Sequence, residues 1–511
     1  MLDVLTAEDV RRQDAACEAR GITTRTLMGN AGYGVAHAVR TLLGSTYGKR
    51  VVVVCGKGNN AGDGLVAGRT LSGWGAHVSA VMVLGSELSG AAGEVLARFP
   101  GRTFGPDALE RELSRADLAI DAIFGVGLKR PPEGEAARAI ARLESSAGRA
   151  TVAVDIPSGV DADTGRLAGE HAVRASLTVT LGGPKPGLMF EPGRSRASRV
   201  EIVDIGVPAD LRSGAVFSLE PADVRATLPL RTTSSHKRNV GTVLLVVGSK
   251  GLPGAAALAA GASVHAGAGL TVVAAPESVV PTIIGRVPEV TAIPLPETGD
   301  GTIDPKGLEL IRPRLGEFHA VAIGPGLSLH PSTADAVRAL VAEVDLPMVL
   351  DADALTALAG ATSLISERTA PTIITPHTRE LSRLIDRSVE EIEADRLVVA
   401  RQAAATLGCV VLLKGPGTVI AGPDGYTYIN PTGGPALAQG GTGDVLTGLT
   451  VALLAQERQL GAGRGALMTA ALAAWLHGRA GDLAGERVGP HPANASMLID
   501  LLGDVLHEVA G

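Results

Sequence analysis

A chain of 511 residues is too long for one hydrophobic core, so two to four domains are expected. With 45% apolar and 19% charged residues it reads as globular rather than disordered, and a net charge of −7 without a long basic run argues against nucleic acid or an anionic membrane as partner. Aromatics are only 2% while glycines number 66, so the core must be built from Val, Leu, Ile and Ala with elements in close approach.

Met1-Leu2-Asp3 leads directly to Glu8, Asp9 and Arg11, so no secretory signal is expected. Cys17, Cys55 and Cys409 form no CxxC pair, which removes zinc and thioredoxin chemistry and fits a cytoplasmic location. Helices are expected over residues 6–19, 26–43, 65–73 and 136–145, and strands over 51–54, 77–84, 118–123, 151–154 and 177–180. Short apolar runs alternating with helices signal a parallel sheet covered on both faces, with ligands beyond the carboxyl ends of its strands.

The pattern weakens over residues 210–230, near Pro208, Pro221 and Pro229. A second strand series follows at 242–247, 270–275, 320–323, 348–350, 372–374 and 410–413, so two α/β domains are expected, over residues 1–218 and 219–511. Residues 251–276 carry no Asp, Glu, Lys or Arg and have the length of a bilayer span. They are mostly Gly and Ala, however, and divide into a helix over 254–265 and the strand over 270–275.

Polar groups gather where strands end. The first turn, residues 56–64, holds Asn59, Asn60 and Asp63; Asp121 precedes Gly125-Val126-Gly127; Asp155 precedes Ile156-Pro157-Ser158-Gly159. All three should meet at one sheet edge. Converging carboxylates need a cation or a shared proton, and Asn, Ser and Asp oxygens suit a hard ion, monovalent or divalent. The plain alternative is that Asp121 and Asp155 cap helices and the Asn pair forms an Asx turn.

Far downstream, Gly440-Gly441-Thr442-Gly443 opens a helix whose N–H groups suit a phosphate. Asp444 beside them would repel that anion unless it accepts a proton from an attacking or leaving group. Lys414 also reads as an ordinary strand-end lysine, His377 as a loop histidine, and Asp351 and Asp353 as a helix cap and a surface charge without chemistry.

The segment from Cys55 to Gly64, with Asp121 to Gly127 and Asp155 to Gly159 in the same order, resembles the NAD(P)H-hydrate epimerases. The resemblance covers residues 5–210 and implies a Rossmann-like three-layer domain that interconverts the R and S hydrates of NADH and NADPH. It implies hydrate contacts from Asn59, Asn60, Ala61, Gly62 and Asp63, from Gly125, Val126, Gly127, Leu128, Lys129, Arg130 and Pro131, and from Asp155 as acid/base. It also implies a potassium ion on Asn60, Asp121 and Ser158. Ala61 stands where a Gly is common, and Gly29 where a Glu is common.

Residues 230–505 resemble the ADP- or ATP-dependent NAD(P)H-hydrate dehydratases. The carriers are Gly248-Ser249, Pro253-Gly254-Ala255, Gly324-Pro325-Gly326, Asp351-Ala352-Asp353, Thr375-Pro376-His377, Lys414 to Thr418 and Gly440 to Gly448. A ribokinase-like α/β fold is implied. So are nucleotide contacts from Lys414, Gly415, Pro416, Gly417, Thr418 and Gly443, and hydrate contacts from Ala255, Gly326, His377 and the catalytic Asp444. Magnesium comes with the nucleotide, and a homo-oligomer is expected by kinship. Arg379 replaces a usual Gly and Gly434 a usual Asn. Together the halves imply a bifunctional repair enzyme for hydrated NAD(P)H; the rival is a kinase of a vitamin alcohol, which would not need the first domain.

Overall fold

The computed structural model describes residues 1–145, 148–212, 214–228, 233, 235–237, 239–460, 464–489, 491 and 493–511, so Pro229 lies outside the described residues. The chain forms two compact units, Leu2–Val216 and Phe217–Gly511.

In the first unit, strands β1 (Arg50–Cys55), β2 (His77–Met82), β3 (Arg102–Phe104), β4 (Leu118–Ala122), β5 (Ala150–Val154), β6 (Leu177–Leu181) and β7 (Arg199–Val203) form a parallel sheet. Their order is β3-β2-β1-β4-β5-β6-β7. The apolar run of β1 has a direct cause. Val51, Val53 and Cys55 enter the core on one face, and Val52 and Val54 enter the core on the other. A strand buried on both sides cannot alternate with polar residues.

Helix Ala7–Ala19 begins on Thr6, whose hydroxyl accepts from the Asp9 amide at 3.1 Å while the Asp9 carboxylate caps back, a reciprocal N-terminal box. The helix expected from residue 65 begins six residues earlier and spans Asn59–Gly73. Gly56 and Gly58 stay in the turn before that helix, while Gly62 and Gly64 are packing sites within it. A Cβ on Gly64 would lie 2.5 Å from Ala122 Cβ, and one on Gly62 would lie 2.5 Å from the Met28 sulfur. Strands β3 and β7 escaped the sequence reading because they are edges with exposed positions and no continuous apolar run.

The second unit holds β8 (Thr242–Val246), β9 (Leu270–Pro276), β10 (Thr291–Leu295), β11 (Ala320–Ile323), β12 (Met348–Leu350), β13 (Thr372–Ile374), β14 (Val410–Leu413), β15 (Val419–Ala421) and β16 (Thr427–Ile429). They run β10-β9-β8-β11-β12-β13-β14-β15-β16 and are parallel up to β14; β15 and β16 are antiparallel additions. Pro294 falls in β10, an edge strand in this series, where a missing N–H costs no ladder bond. The uncharged stretch resolves into helix Pro253–His265 and β9. Among the described residues no helix is long and apolar enough to cross a membrane.

Small residues bring the helices of this unit into backbone contact. A Cβ on Gly448, in helix Thr442–Leu460, would sit 2.0 Å from the Ala259 carbonyl oxygen. That close approach is what a chain poor in aromatics and rich in Gly requires.

Two candidate active sites

At the carboxyl ends of β1, β4, β5 and β6 lies a cavity of about 420 Å³, lined among others by Asp14, Asn60, Asp63, Gly125, Asp155 and Lys185. The strand-end clusters therefore meet, as the sheet order requires. Asp155 leaves β5 in a left-handed conformation, φ +69°, uncommon for a residue with a Cβ and characteristic of sites whose surroundings enforce it. Its amide donates to the Val179 carbonyl at 2.8 Å, and its Oδ1 accepts from the Leu181 amide at 3.2 Å and from Lys185 Nζ. Lys185 is only 1% exposed, and its ammonium also reaches the Leu181 carbonyl at 2.7 Å and the Gly183 carbonyl at 3.1 Å.

Lys185 is the cation that the converging carboxylates require. Burial first, then the charges of Asp155 and Asp14, hold the Asp63 carboxyl well above the usual carboxylate range, against Lys185. Burial and Asp155 likewise raise Asp14. A site that separates carboxyls into an ion-paired member and members whose pKa values are raised has the elements of acid/base chemistry.

Asp121 is fully buried behind this cavity. Its Oδ1 accepts from Ser158 Oγ at 2.6 Å and its Oδ2 from the Ser158 amide at 2.8 Å, while the Phe124 amide donates to Ser158 Oγ at 2.9 Å. Burial pushes the Asp121 carboxyl up to about 6 despite those bonds. Among the described residues it has no cationic partner. Asn60 Nδ2 is buried without a hydrogen-bond partner. Turning that amide would point a carbonyl oxygen the same way, since its two ends are assigned from their surroundings. A lone buried carboxylate, a hydroxyl and an orphaned amide fit a monovalent cation.

Other expected contacts divide. Asn59, Val126, Gly127 and Leu128 line the cavity. Lys129, Arg130 and Pro131 line a neighbouring cavity of about 470 Å³, which shares Leu84, Phe124, Gly127 and Leu128 with the first. The Ala61 side chain is buried in the core and Gly62 packs on Met28, so either offers a ligand only backbone.

In the second unit Asp444 is the third residue of helix Thr442–Leu460. Burial, then the Asp351 charge, push its carboxyl up to about 7, opposed by Lys414. Lys414 closes β14, and a Cβ on Gly443 would lie 3.5 Å from its Nζ, so the ammonium faces the glycine turn. Burial acts to lower the Lys414 pKa, yet Asp351, Glu380 and Asp444 together raise it. The turn is held from behind by His477, whose Nε2–H donates to the Thr442 carbonyl at 2.9 Å; burial pushes that imidazole down to about 4.

His377 does structural work with half of its ring. Its Nδ1 accepts from the Arg379 and Glu380 amides at 3.1 and 3.2 Å, capping helix Thr378–Ile385. Burial lowers its pKa, opposed by the Glu380 charge. Arg379 enters through its amide at this cap. Ala255 and Gly326 adjoin: a Cβ on Gly326, at φ +67°, would be 3.1 Å from Ala255 Cβ. Thr418 Oγ1 donates to the Gly415 carbonyl at 2.9 Å, closing the Lys414–Thr418 turn.

Sequence reasoning missed Lys185, Asp14, Asp351 and His477. Asp351 is neither a cap nor a surface charge. It is 1% exposed, and both of its oxygens are engaged. The available signals were Lys185 within a Gly-Pro-rich turn after a strand, and an Asp directly after β12.

The family model described as NAD(P)H-hydrate dehydratase matches residues 243–503, and the one described as YjeF-related protein N-terminus matches residues 24–187. A bifunctional NAD(P)H-hydrate repair enzyme Nnr of Moorella thermoacetica is 42% identical over 502 residues, covering 96% of this chain and 93% of its own. The chain belongs to the family of bifunctional NAD(P)H-hydrate repair enzymes. A second Nnr, from Thermofilum pendens, is 39% identical over 500 residues, with 96% and 93% covered. A ribokinase-like superfamily protein of Enterococcus faecalis V583 is 24% identical, covers 58% of this chain and 97% of its own, and has a TM-score of 0.50. That likeness bears on fold alone and gives the second unit a ribokinase-like architecture. End-to-end similarity to repair enzymes favours that reading over a vitamin-alcohol kinase.

Proposed function

We propose that residues 1–218 epimerise hydrated NADH and NADPH and that residues 219–511 dehydrate the S hydrate at the expense of ADP or ATP. The observation that carries the first half is the Asp155–Lys185 ion pair sharing one cavity with Asp14 and Asp63. In this reading Asp155 is the acid/base through which water leaves and returns at C6. Potassium would rest on Asn60, Asp121 and Ser158, where it supplies the positive charge that buried Asp121 lacks.

The observation that carries the second half is Asp444 in the first turn of helix Thr442–Leu460, where Lys414 faces Gly443. Nucleotide phosphates lie over the N–H groups of Gly440 to Gly443, with Lys414 alongside. Asp444 takes the proton of the C6 hydroxyl as that oxygen attacks the terminal phosphorus, the bridging P–O bond breaks, and AMP or ADP leaves. The ring-nitrogen lone pair expels the phosphate as the C6–O bond breaks, and transfer of the C5 proton to that phosphate or to water restores the C5=C6 double bond. Magnesium belongs with the nucleotide in this account. Among the described residues no group of three His, Cys, Asp or Glu is arranged to hold a metal, and no step here is assigned to one.

The test is a mixed-epimer hydrate incubated with the full chain, with and without ADP or ATP, followed by the near-ultraviolet absorbance of reduced nicotinamide. Complete, nucleotide-dependent recovery is expected. Nucleotide consumption that leaves the hydrate untouched would refute the reading.

A further inference from the structure

Resting on that reading of the second unit, we propose that Asp351 is a positioning residue for phosphoryl transfer, pinning the Lys414 ammonium beside the Gly443 turn and keeping a negative charge close to Asp444. Asp351 follows β12 directly. Its Oδ1 accepts from Lys414 Nζ at 2.7 Å and its Oδ2 accepts from Thr447 Oγ1 at 2.6 Å. Both oxygens are therefore committed to protein donors, which distinguishes Asp351 from a group that takes a substrate proton.

One carboxylate thus ties three elements together. Lys414 directly follows β14, Thr447 lies one turn beyond Asp444 on the same helix, and Asp351 directly follows β12. Its backbone is closely packed too: a Cβ on Gly324, at φ +140°, would fall 1.8 Å from the Asp351 carbonyl oxygen, so two backbone segments touch there. The other partner within reach of Lys414 Nζ is Glu380, at 3.8 Å. Without Asp351 the ammonium would keep only that longer contact.

The charged and titratable groups that bear on Asp444 are Asp351, Lys414 and Asp353, while Glu380, His377 and His477 surround Lys414. Among them Asp351 is the largest electrostatic contributor at Asp444 after burial, and its sign makes that carboxyl easier to protonate. A base with a pKa near the working pH combines a useful ionised fraction with useful proton affinity. Asp351 therefore acts twice: on where the phosphate-facing cation stands, and on when Asp444 gains its proton.

The test is the full-length Asp351→Asn chain, which keeps the shape and an acceptor for Thr447 but removes the charge. Dehydration of purified S hydrate is followed as kcat/KM against pH, and the KM for ADP or ATP is measured. The acid limb is expected to move down by about one pH unit, and the nucleotide KM to rise about tenfold. Thr447→Val, which removes only the neutral bond, should leave the midpoint of that limb in place. Epimerisation by the same molecules reports that the chain has folded. Should Asp351→Asn fail to fold, Asp351→Glu decides: a parental limb with a raised nucleotide KM supports the proposal, and a parental KM overturns it. An Asp351→Asn chain with parental limb and parental nucleotide KM, losing only kcat, also overturns it. A parent that turns over no hydrate with any nucleotide would instead refute the proposed function, and this inference with it.

Discussion

The two sites solve one problem in different ways. In the first unit Asp155, the proposed acid/base, is held directly by a lysine that is 1% exposed, and its backbone is left-handed at a strand end. In the second, Asp444 sits on a helix, and the nearby lysine gives its short contact to another carboxylate, Asp351. The contrast fits the chemistry proposed for each. An epimerase must return the proton it takes and gains from a closed set of carboxyls around one cation. A phosphoryl-transfer base takes a proton once per turnover, and its lysine must remain able to face phosphate.

That contrast can be broken most sharply at Asp155. Asp155→Asn should slow epimerisation by about 10²–10⁴-fold while dehydration of pure S hydrate stays at the parental rate. Rates of R-to-S exchange and of absorbance recovery, measured separately, check this; equal losses in both would erase the division of labour.

The next effect is on stability. Lys185→Met strands Asp155 in a buried site and should cost the first unit about 3–5 kcal/mol, and Lys414→Met, which strands the still more buried Asp351, should cost the second unit a similar amount. Denaturant unfolding with a probe in each unit distinguishes them. Gly448→Ala should destabilise the second unit by about 1–3 kcal/mol, because the new methyl meets the Ala259 carbonyl, and the first unit should not respond.

Smallest is Gly125→Ala. Its methyl would stand 3.1 Å from Asn60 Oδ1 and 3.4 Å from Asp155 Oδ2, tight rather than impossible, and epimerisation should slow roughly tenfold, or ~1.4 kcal/mol. The two units should also differ in pH response. Asp444 must be ionised to accept a proton, so kcat/KM for dehydration should rise with pH through about 7 and level above it.

Much of this architecture was legible because it is written in continuous apolar runs. Residues 51–54 and 410–413 could be strands only if buried on both faces, and their ends marked where Asp63 and Lys414 would lie. Edge strands such as Arg102–Phe104 lack that run because one flank has no neighbour. Asp155 and Asp444 were legible as acids beside glycine turns. Lys185 and Asp351 were not, because a lysine after a proline and an Asp after a strand look like solvent-facing charges until the fold supplies their partners. The glycine run near Asn59 misled in part: Gly62 and Gly64 lack side chains for close contact with a neighbouring helix and with the sheet, and only Gly56 and Gly58 lie in the turn.

The most direct test is the rate of absorbance recovery from purified S hydrate at saturating ADP or ATP, in the parent and in Asp444→Asn. The account predicts a loss of at least about 100-fold with epimerisation unchanged. Recovery within twofold of the parental rate would mean that the C6 hydroxyl gives its proton to some other group.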